Sequence, residues 1–447
     1  MSFELISHLI EEIKIPVAQS IYNSDKDIQM KSLRGHVIGP VALGIFASLL
    51  LTVFPGSARE AHAGAFVSEP STTRIFRRSS GRKASAIPFE TSNNLIFVQV
   101  RVNKSVPLWF ILDTGASYTF IKQRCVQALG LKLEKDEKVF EGEPYAKDVS
   151  LTLAGVELLK QNVIAGPTAS LEAGVGRAID GILGYDIFKG FVVEIDYSAR
   201  LINLYQPESY QYKGAGESIP ITIEDNTPFV HARVFSNGRN SAEGKFMIDT
   251  GANNALNIFG RFDKAHNISG TLPKTLQSTG IGVSGARKTS IGRIEKIQLG
   301  RFAIKKPVVS MAQPSDSDND EIGDGEIGAE LLRRFKLIVD YSRSRIILEP
   351  NAQIAEPYEA SLSGASITAE GSDYRTYRVR AIIADSPATE AGLRAGDIIR
   401  AINSRPSADF TFEELRRMFR QDGREYILSI KRGEETLQVK IKLRRLI

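Results

Sequence analysis

The chain is 447 residues long, enough for about three domains of ordinary size. With 42% hydrophobic and 24% charged residues it has the composition of a globular protein, which excludes collagen-like and largely disordered chains. The net charge of +5 comes without a basic face interleaved with aromatics, so nucleic acid is not an expected partner, and the single cysteine, Cys125, excludes an intrachain disulfide.

The N-terminal region reads as an export signal. Lys31 and Arg34 precede the apolar run VIGPVALGIFASLLLTVF (Val37–Phe54), and the small-x-small triplet Ala61-His62-Ala63 follows it. Residues 1–63 are therefore expected to form a signal peptide with an unusually long charged region, cleaved after Ala63, with Met30 as the candidate true start. The mature product is expected to be periplasmic or secreted, with no membrane span. The alternative is an inner-membrane anchor over residues 37–54, since that run sits at the lower edge of what spans a bilayer, about 17–25 residues. Residues 64–85, which include the basic stretch Thr73–Lys83, read as a solvated linker.

From about residue 86 to 350 the same plan occurs twice. The first copy opens on IPFETSNNLIFVQVRV (Ile87–Val102) and the second on IPITIEDNTPFVHARVF (Ile219–Phe235), both alternating runs with strand chemistry. A polar turn follows in each, NKSVP and SNGRNSAEG, and the next strand ends in FILDTGAS (Phe110–Ser117) or FMIDTGANN (Phe246–Asn254). The copies close alike. Asp180–Tyr205 and Asp324–Pro350 each read as Asp-Gly, a small-residue turn, a short amphipathic helix and a hairpin turning on Asp-Tyr-Ser. Two mainly β units are predicted, over residues 86–210 and 211–350. One Asp-Thr-Gly arises by chance in roughly one such chain in ten, but two at matching positions of a duplicated unit are not independent accidents.

Two carboxylates related by an approximate two-fold, Asp113 and Asp249, can share one proton, because at close approach both cannot ionise. The ionised partner can take a proton from a water attacking a carbonyl, and the protonated one can donate to the developing oxyanion. Gly115 and Gly251 let two backbones approach, and Thr114 and Thr250 supply hydroxyls that can bond across the pair. Asp196 and Asp340, at hairpin turns, are expected instead to cap their own backbone. In the acidic loop Pro314–Glu326, Asp316, Asp318 and Asp320 have calcium-loop spacing, but Glu321 replaces the turn glycine and Ile327 falls where a bidentate Glu is needed. Neither a metal site nor a cofactor is expected, and no H-E-x-x-H, P-loop or G-x-S-x-G motif is present.

FILDTGAS and FMIDTGANN, each followed by Asp-Gly and a glycine-closed segment (Ile182–Gly184, Glu326–Gly328), resemble the retropepsin-like aspartyl proteases, most closely the bacterial type with two lobes in one chain. The resemblance implies two acid-protease β-barrel lobes related by a pseudo-two-fold, with Asp113 and Asp249 as the catalytic pair and Thr114 and Thr250 bracing them. It also implies a hydrophobic-hydrophobic-Gly segment behind each motif, a pattern from which Glu326 departs. A flap closing over the substrate is implied too, at Ser278–Gly292 in the second copy and near Lys138–Ser150 in the first. Ala116 and Ala252 follow the two triplets where pepsin-like relatives carry Ser or Thr, so no hydroxyl stabilises an ionised carboxylate and activity is expected at mildly acidic to neutral pH.

After Pro350 the composition changes. SPATEAGLRAGDIIRAINSRP (Ser386–Pro406) reads as a compact helix, a Gly-Asp turn and an apolar strand; FTFEELRRMFR (Phe410–Arg420) reads as an amphipathic helix, and two strands close the chain. Residues 355–447 resemble a bacterial-type PDZ domain, an α+β fold. The resemblance implies capture of peptide C-termini by strand addition, with Ser363, Gly364, Ala365, Ser366 and Ile367 as the carboxylate cradle and the Phe410–Arg420 helix as the facing wall. The stripe Phe412, Leu415 and Phe419 is expected to serve the core. The reading is thus an exported aspartic endopeptidase acting on protein or peptide substrates. A non-catalytic peptide-binding scaffold is the alternative, opposed by retention of both triplets, since paired carboxylates are costly to hold together unless used. A third possibility pairs each lobe with a lobe of another chain.

Overall fold

The structure, a computed structural model, describes residues 83–447 except 239, 283–284 and 313–321. The expected signal peptide, most of the linker, and Asp316, Asp318 and Asp320 of the acidic loop lie outside the described residues. The described chain is mainly β. In the first lobe the strand Leu95–Val102 buries every side chain except Gln99 and Arg101: Ile96, Val98, Val100 and Val102 enter the main core, and Leu95 and Phe97 enter a second cluster on the opposite face. It pairs with Leu108–Leu112 along most of its length and with Tyr145–Leu153 at its end, which rolls an eight-stranded sheet back on itself. The second lobe repeats the plan in a ten-stranded sheet, where Thr227–Asn237 pairs with both Asn240–Asp249 and Lys296–Leu299. One apolar core runs through both lobes, taking in Val98 and Phe110 of the first and Phe246 and Ile248 of the second.

The lobes of this one chain are joined by a six-stranded sheet to which each contributes three strands. Its central pair is antiparallel: Val193 faces Val339, Glu194 faces Ile338 and Ile195 faces Leu337. The repeat aligns Glu194 with Ile338, so two equivalent residues meet each other at the seam. Only elements lying on a two-fold axis can do so, and the axis therefore passes between them. The flanking hairpins, Val192–Asp196 with Leu201–Tyr205 and Phe335–Asp340 with Arg345–Pro350, are the two Asp-Tyr-Ser turns.

Three local expectations are corrected. The opening segments are not single strands: Ile87–Val102 is broken at Asn93-Asn94 and Ile219–Phe235 at Asp225-Asn226, all four with positive φ. Asn and Asp tolerate the left-handed region, which makes a tight two-residue hairpin turn. SNGRNSAEG is mostly strand, since Asn237 already pairs with Asn240 and the turn between them is only two residues long. Asp340 does not cap its own backbone. It is fully buried and bound by Arg343 and Arg345, whereas Asp196 does accept from the backbone N–H of Ser198 and Ala199 at 3.0 and 2.9 Å.

The C-terminal domain is a six-stranded sheet closed by the helix Phe412–Met418, whose Thr411 and Glu414 form a reciprocal cap. Phe412, Leu415 and Phe419 enter its own core with Tyr377, Leu428 and Ile430. The domain rests on the first lobe. The helix Ala169–Val175 lies against the edge strand Ala365–Glu370, and Glu413 accepts from the Asn93 N–H at 2.9 Å. Gly176 ends the lobe helix at φ +80°, where any side chain would overlap Phe412. Glycine is thus required there twice, for its backbone conformation and for the approach.

Candidate active site

The strands Leu108–Leu112 and Asn240–Asp249 lead into the two Asp-Thr-Gly turns. Each has a parallel neighbour, Gly181–Leu183 in the first lobe and Gly325–Gly328 in the second, which are the expected glycine-closed segments. Such a central strand has both edges bonded, and the Leu183 carbonyl extends the ladder by accepting from the Asp113 N–H at 3.1 Å. The aspartates therefore stand at the ends of fully supported strands.

Thr114 and Thr250 meet between them. The Thr114 N–H donates to Thr250 Oγ1 at 3.0 Å, and the Thr250 N–H donates to Thr114 Oγ1 at 3.0 Å. Each hydroxyl in turn donates to a carbonyl of the opposite lobe, Thr114 to Ile248 at 2.6 Å and Thr250 to Leu112 at 2.9 Å. Four buried bonds, symmetric about the axis, lock one turn to the other. Gly251 passes so close to Asp113 that a Cβ there would strike its carboxyl. Within each turn one carboxylate oxygen is fixed by backbone N–H groups: Gly115 to Asp113 Oδ1 at 2.8 Å, and Gly251 and Ala252 to Asp249 Oδ1 at 2.7 and 3.0 Å.

Asp113 and Asp249 are both buried, each close enough to perturb the other's ionisation, and Asp249 Oδ2 has no hydrogen-bond donor facing it among the described residues. Burial raises both above the ordinary carboxylate range. For Asp113 the rise is opposed by the Asp249 side chain and by the amides of Gly115, Ala116 and Gly251. For Asp249 the rise is larger, because after burial the charges of Asp113 and Glu326 also resist its ionisation. One proton is therefore retained by the pair, with Asp249 as its holder, at pH values where a free aspartate is ionised. The direction agrees with that expected from Ala116 and Ala252, but burial is its first cause.

Glu326 breaks the symmetry. It is buried, faces Asn257 across the strand pair and accepts from Asn257 Nδ2 at 2.7 Å; Asn254 Nδ2 donates to Asn257 Oδ1. In the first lobe the corresponding Ile182 faces Phe120. The charge that an apolar pattern excluded is accommodated by asparagines on the neighbouring segment. Two further residues escaped the motif reading, Tyr197 and Tyr341 of the Asp-Tyr-Ser turns. Both are buried with hydroxyls that make no hydrogen bond among the described residues, within electrostatic reach of Asp249, and Tyr341 also of Asp113. Their matched positions in the repeat were the available signal.

The second-lobe segment expected to form a flap contains a regular hairpin of Thr275–Gly282 with Gly285–Arg293. Its first-lobe counterpart pairs only Leu133–Glu134 with Tyr145–Ala146, beyond which Phe140 packs edge-on to Tyr118 and Tyr145 at 4.7 and 5.1 Å. In the C-terminal domain, Gly364, Ala365, Ser366 and Ile367 line a groove against Phe412, Leu415 and Phe419, so the helical stripe serves both core and groove. Ser363 is not among the lining residues. It is buried beneath the loop, where its hydroxyl accepts from the Ala365 N–H at 3.1 Å, and Ser361 lines the groove in its stead. Among the described residues no cluster of His, Cys, Asp and Glu could hold a metal.

A family model described as aspartyl protease matches residues 98–187, and one described as PDZ domain matches residues 378–432. Comparison with curated proteins gives no match. The chain thus carries an aspartyl protease domain, matched across the first Asp-Thr-Gly turn, and a C-terminal PDZ domain. The second lobe joins the first by its repeated topology.

Two outcomes test this geometry. Thr250→Val removes a hydroxyl but little volume and orphans the buried Thr114 N–H and Leu112 carbonyl. At roughly 1–3 kcal/mol for each orphaned group, a loss of about 3 kcal/mol is expected in denaturant titration. Glu326→Gln keeps an acceptor for Asn257 but removes the negative charge that raises Asp249. The pair then gives up its proton at lower pH, and the alkaline limb of a pH–rate profile should move acidward; an unmoved limb refutes the coupling.

Proposed function

We propose that the protein is an exported aspartic endopeptidase that hydrolyses peptide bonds with a water activated between Asp113 and Asp249. The observation that carries this reading is the pair of buried carboxyls, each perturbing the other's ionisation, at the centre of the threonine lock. Burying two carboxylates side by side is unfavourable unless they share a proton, and a shared proton is what general acid–base attack on an amide requires.

The roles follow from the electrostatics. Asp113, the more readily ionised, accepts a proton from the water as its oxygen bonds to the scissile carbon. Asp249, which holds the proton, donates it to the carbonyl oxygen, giving a neutral tetrahedral diol. Collapse returns that hydroxyl proton to Asp249, passes the proton on Asp113 to the leaving nitrogen and breaks the C–N bond. The threonine lock keeps both carboxyls fixed through these transfers, and Gly115 and Gly251 anchor the inner oxygens. The PDZ domain, beside the second-lobe hairpin, captures peptide segments for the same site.

Cleavage of an unfolded protein, followed from pH 3 to 8, tests the chemistry. Asp113→Asn and Asp249→Asn should each reduce kcat/KM by roughly 10³-fold or more. An inactive wild type, or mutants that retain its rate, would leave a peptide-binding scaffold instead. Export rests on the Val37–Phe54 run and the Ala61-His62-Ala63 site. N-terminal sequencing of the exported product is expected to begin at Gly64; a product retaining Val37–Phe54 indicates an anchor.

A further inference from the structure

The six-stranded seam between the lobes has a second face. Val193, Ile195, Leu337, Val339 and Leu348 point into the main core, so alternation turns Glu194, Lys336 and Glu349 outward on the same strands. A small apolar cluster of Val192, Tyr210, Ile338 and Ile347 lies on this outer face, with Tyr205 and Tyr212 packed against it. The connector between the lobes, residues 206–214, runs over the face and walls a cavity of about 940 Å³ against the sheet. Both lobes line it: Glu194 and Tyr205 come from the first, Lys336 and Glu349 from the second.

The walls are held in place before anything binds. Arg343 donates to the connector carbonyls of Pro207 and Tyr210 at 2.7 and 3.3 Å. The Tyr212 hydroxyl donates to Glu349 Oε2 at 2.9 Å and accepts from the Gly216 N–H at 2.6 Å. Glu194 Oε1 accepts from Asn203 Nδ2 at 2.8 Å and from the Tyr205 hydroxyl at 3.4 Å. Each carboxylate is thus oriented through one oxygen, while its other oxygen has no protein donor among the described residues. Lys336 faces Glu349 across one strand pair and Asp196 across the other, and its ammonium meets Asp196 at 3.3 Å, leaving donors to spare. A hydroxyl both donates and accepts, so it can bridge a carboxylate and an ammonium at once. The C–H face of a sugar ring is apolar and covers an aromatic side chain, and the Tyr205 and Tyr210 rings meet here at 5.0 Å. The charge disfavours an ion. An anion would meet two carboxylates without an ion pair among the described residues, and a cation would meet Lys336 on the same face.

We propose that this cavity binds a neutral oligosaccharide, packed against the tyrosines and held through its hydroxyls by Glu194, Glu349 and Lys336. The site lies on the face turned away from the main core and does not depend on the proteolytic reading. Because the ligand would touch both lobes, its binding should also raise the melting temperature of the chain. The test is isothermal titration calorimetry on the intact chain with cellobiose and N,N′-diacetylchitobiose, beside sorbitol, which has hydroxyls but no ring, and the cationic glucosamine dimer. At least one of the two neutral disaccharides should bind with a dissociation constant of about 1 mM or below, and sorbitol about tenfold more weakly. Glu194→Gln and Glu349→Gln, which exchange an acceptor for a donor, should each weaken that disaccharide about tenfold. Tyr205→Leu, which keeps apolar packing but removes the ring, should do the same. Melting of each ligand-free variant near the wild-type temperature shows that the seam is intact. Binding of neither disaccharide overturns the proposal, and sorbitol of equal affinity overturns recognition of a ring. Tighter binding of the glucosamine dimer overturns neutral selection. Affinity unchanged in all three variants overturns the assignment to this cavity.

Discussion

The structure depends on the mutual grip of Thr114 and Thr250. Two carboxylates repel each other in a dry interior whenever both are ionised, so something besides their own contact must fix their separation. The crossed threonine bonds do so by giving each lobe's turn a partner it cannot find in its own lobe. Broken singly they would strand buried donors and acceptors, so they form together or not at all. The six-stranded seam around Glu194 and Ile338 secures the same two lobes through a second contact, leaving little freedom for either to rotate against the other.

The C-terminal domain is held by small, specific contacts with both lobes. Gly176 fits under Phe412, Glu413 receives the Asn93 amide, and Arg293 of the second lobe donates to the Tyr358 carbonyl at 2.9 Å. Glu330, just beyond the second glycine-closed segment, bonds Asn94 of the first lobe at 2.7 Å and reaches Arg420 of the C-terminal domain. One side chain thus touches all three bodies. The C-terminal domain and the second-lobe hairpin share a cavity at this junction.

Much of this was legible in the chain itself, and the reasons for the remainder are physical. The Asp-Thr-Gly triplets and Asp-Tyr-Ser hairpins could be read because duplication printed each of them twice, and register within a repeat is a stronger signal than any one motif. The hairpins at Asn93-Asn94 and Asp225-Asn226 were missed because apolar alternation continues across them, masking residues that accept positive φ. SNGRNSAEG reads as a turn on its polarity, yet one face of a long hairpin can be polar throughout. Asp340 and Ser363 resemble surface turn residues in sequence; Asp340 is buried under Arg343 and Arg345 of its own hairpin, whose ion pairs no motif announces, and Ser363 under the Pro387–Glu390 helix, which comes from elsewhere in the chain. Docking of the C-terminal domain left no sequence pattern at all, since a single glycine meeting a single phenylalanine has no period.

Glu326 bears on why two lobes are joined in one chain. In a symmetric dimer of identical halves, a carboxylate at that position would occur on both sides of the axis, crowding four acidic groups around one shared proton. Fusion removes that obligation. One half keeps an isoleucine while the other acquires the charge and the asparagine that accommodates it. The two aspartates, equivalent by descent, then become chemically distinct before any substrate arrives.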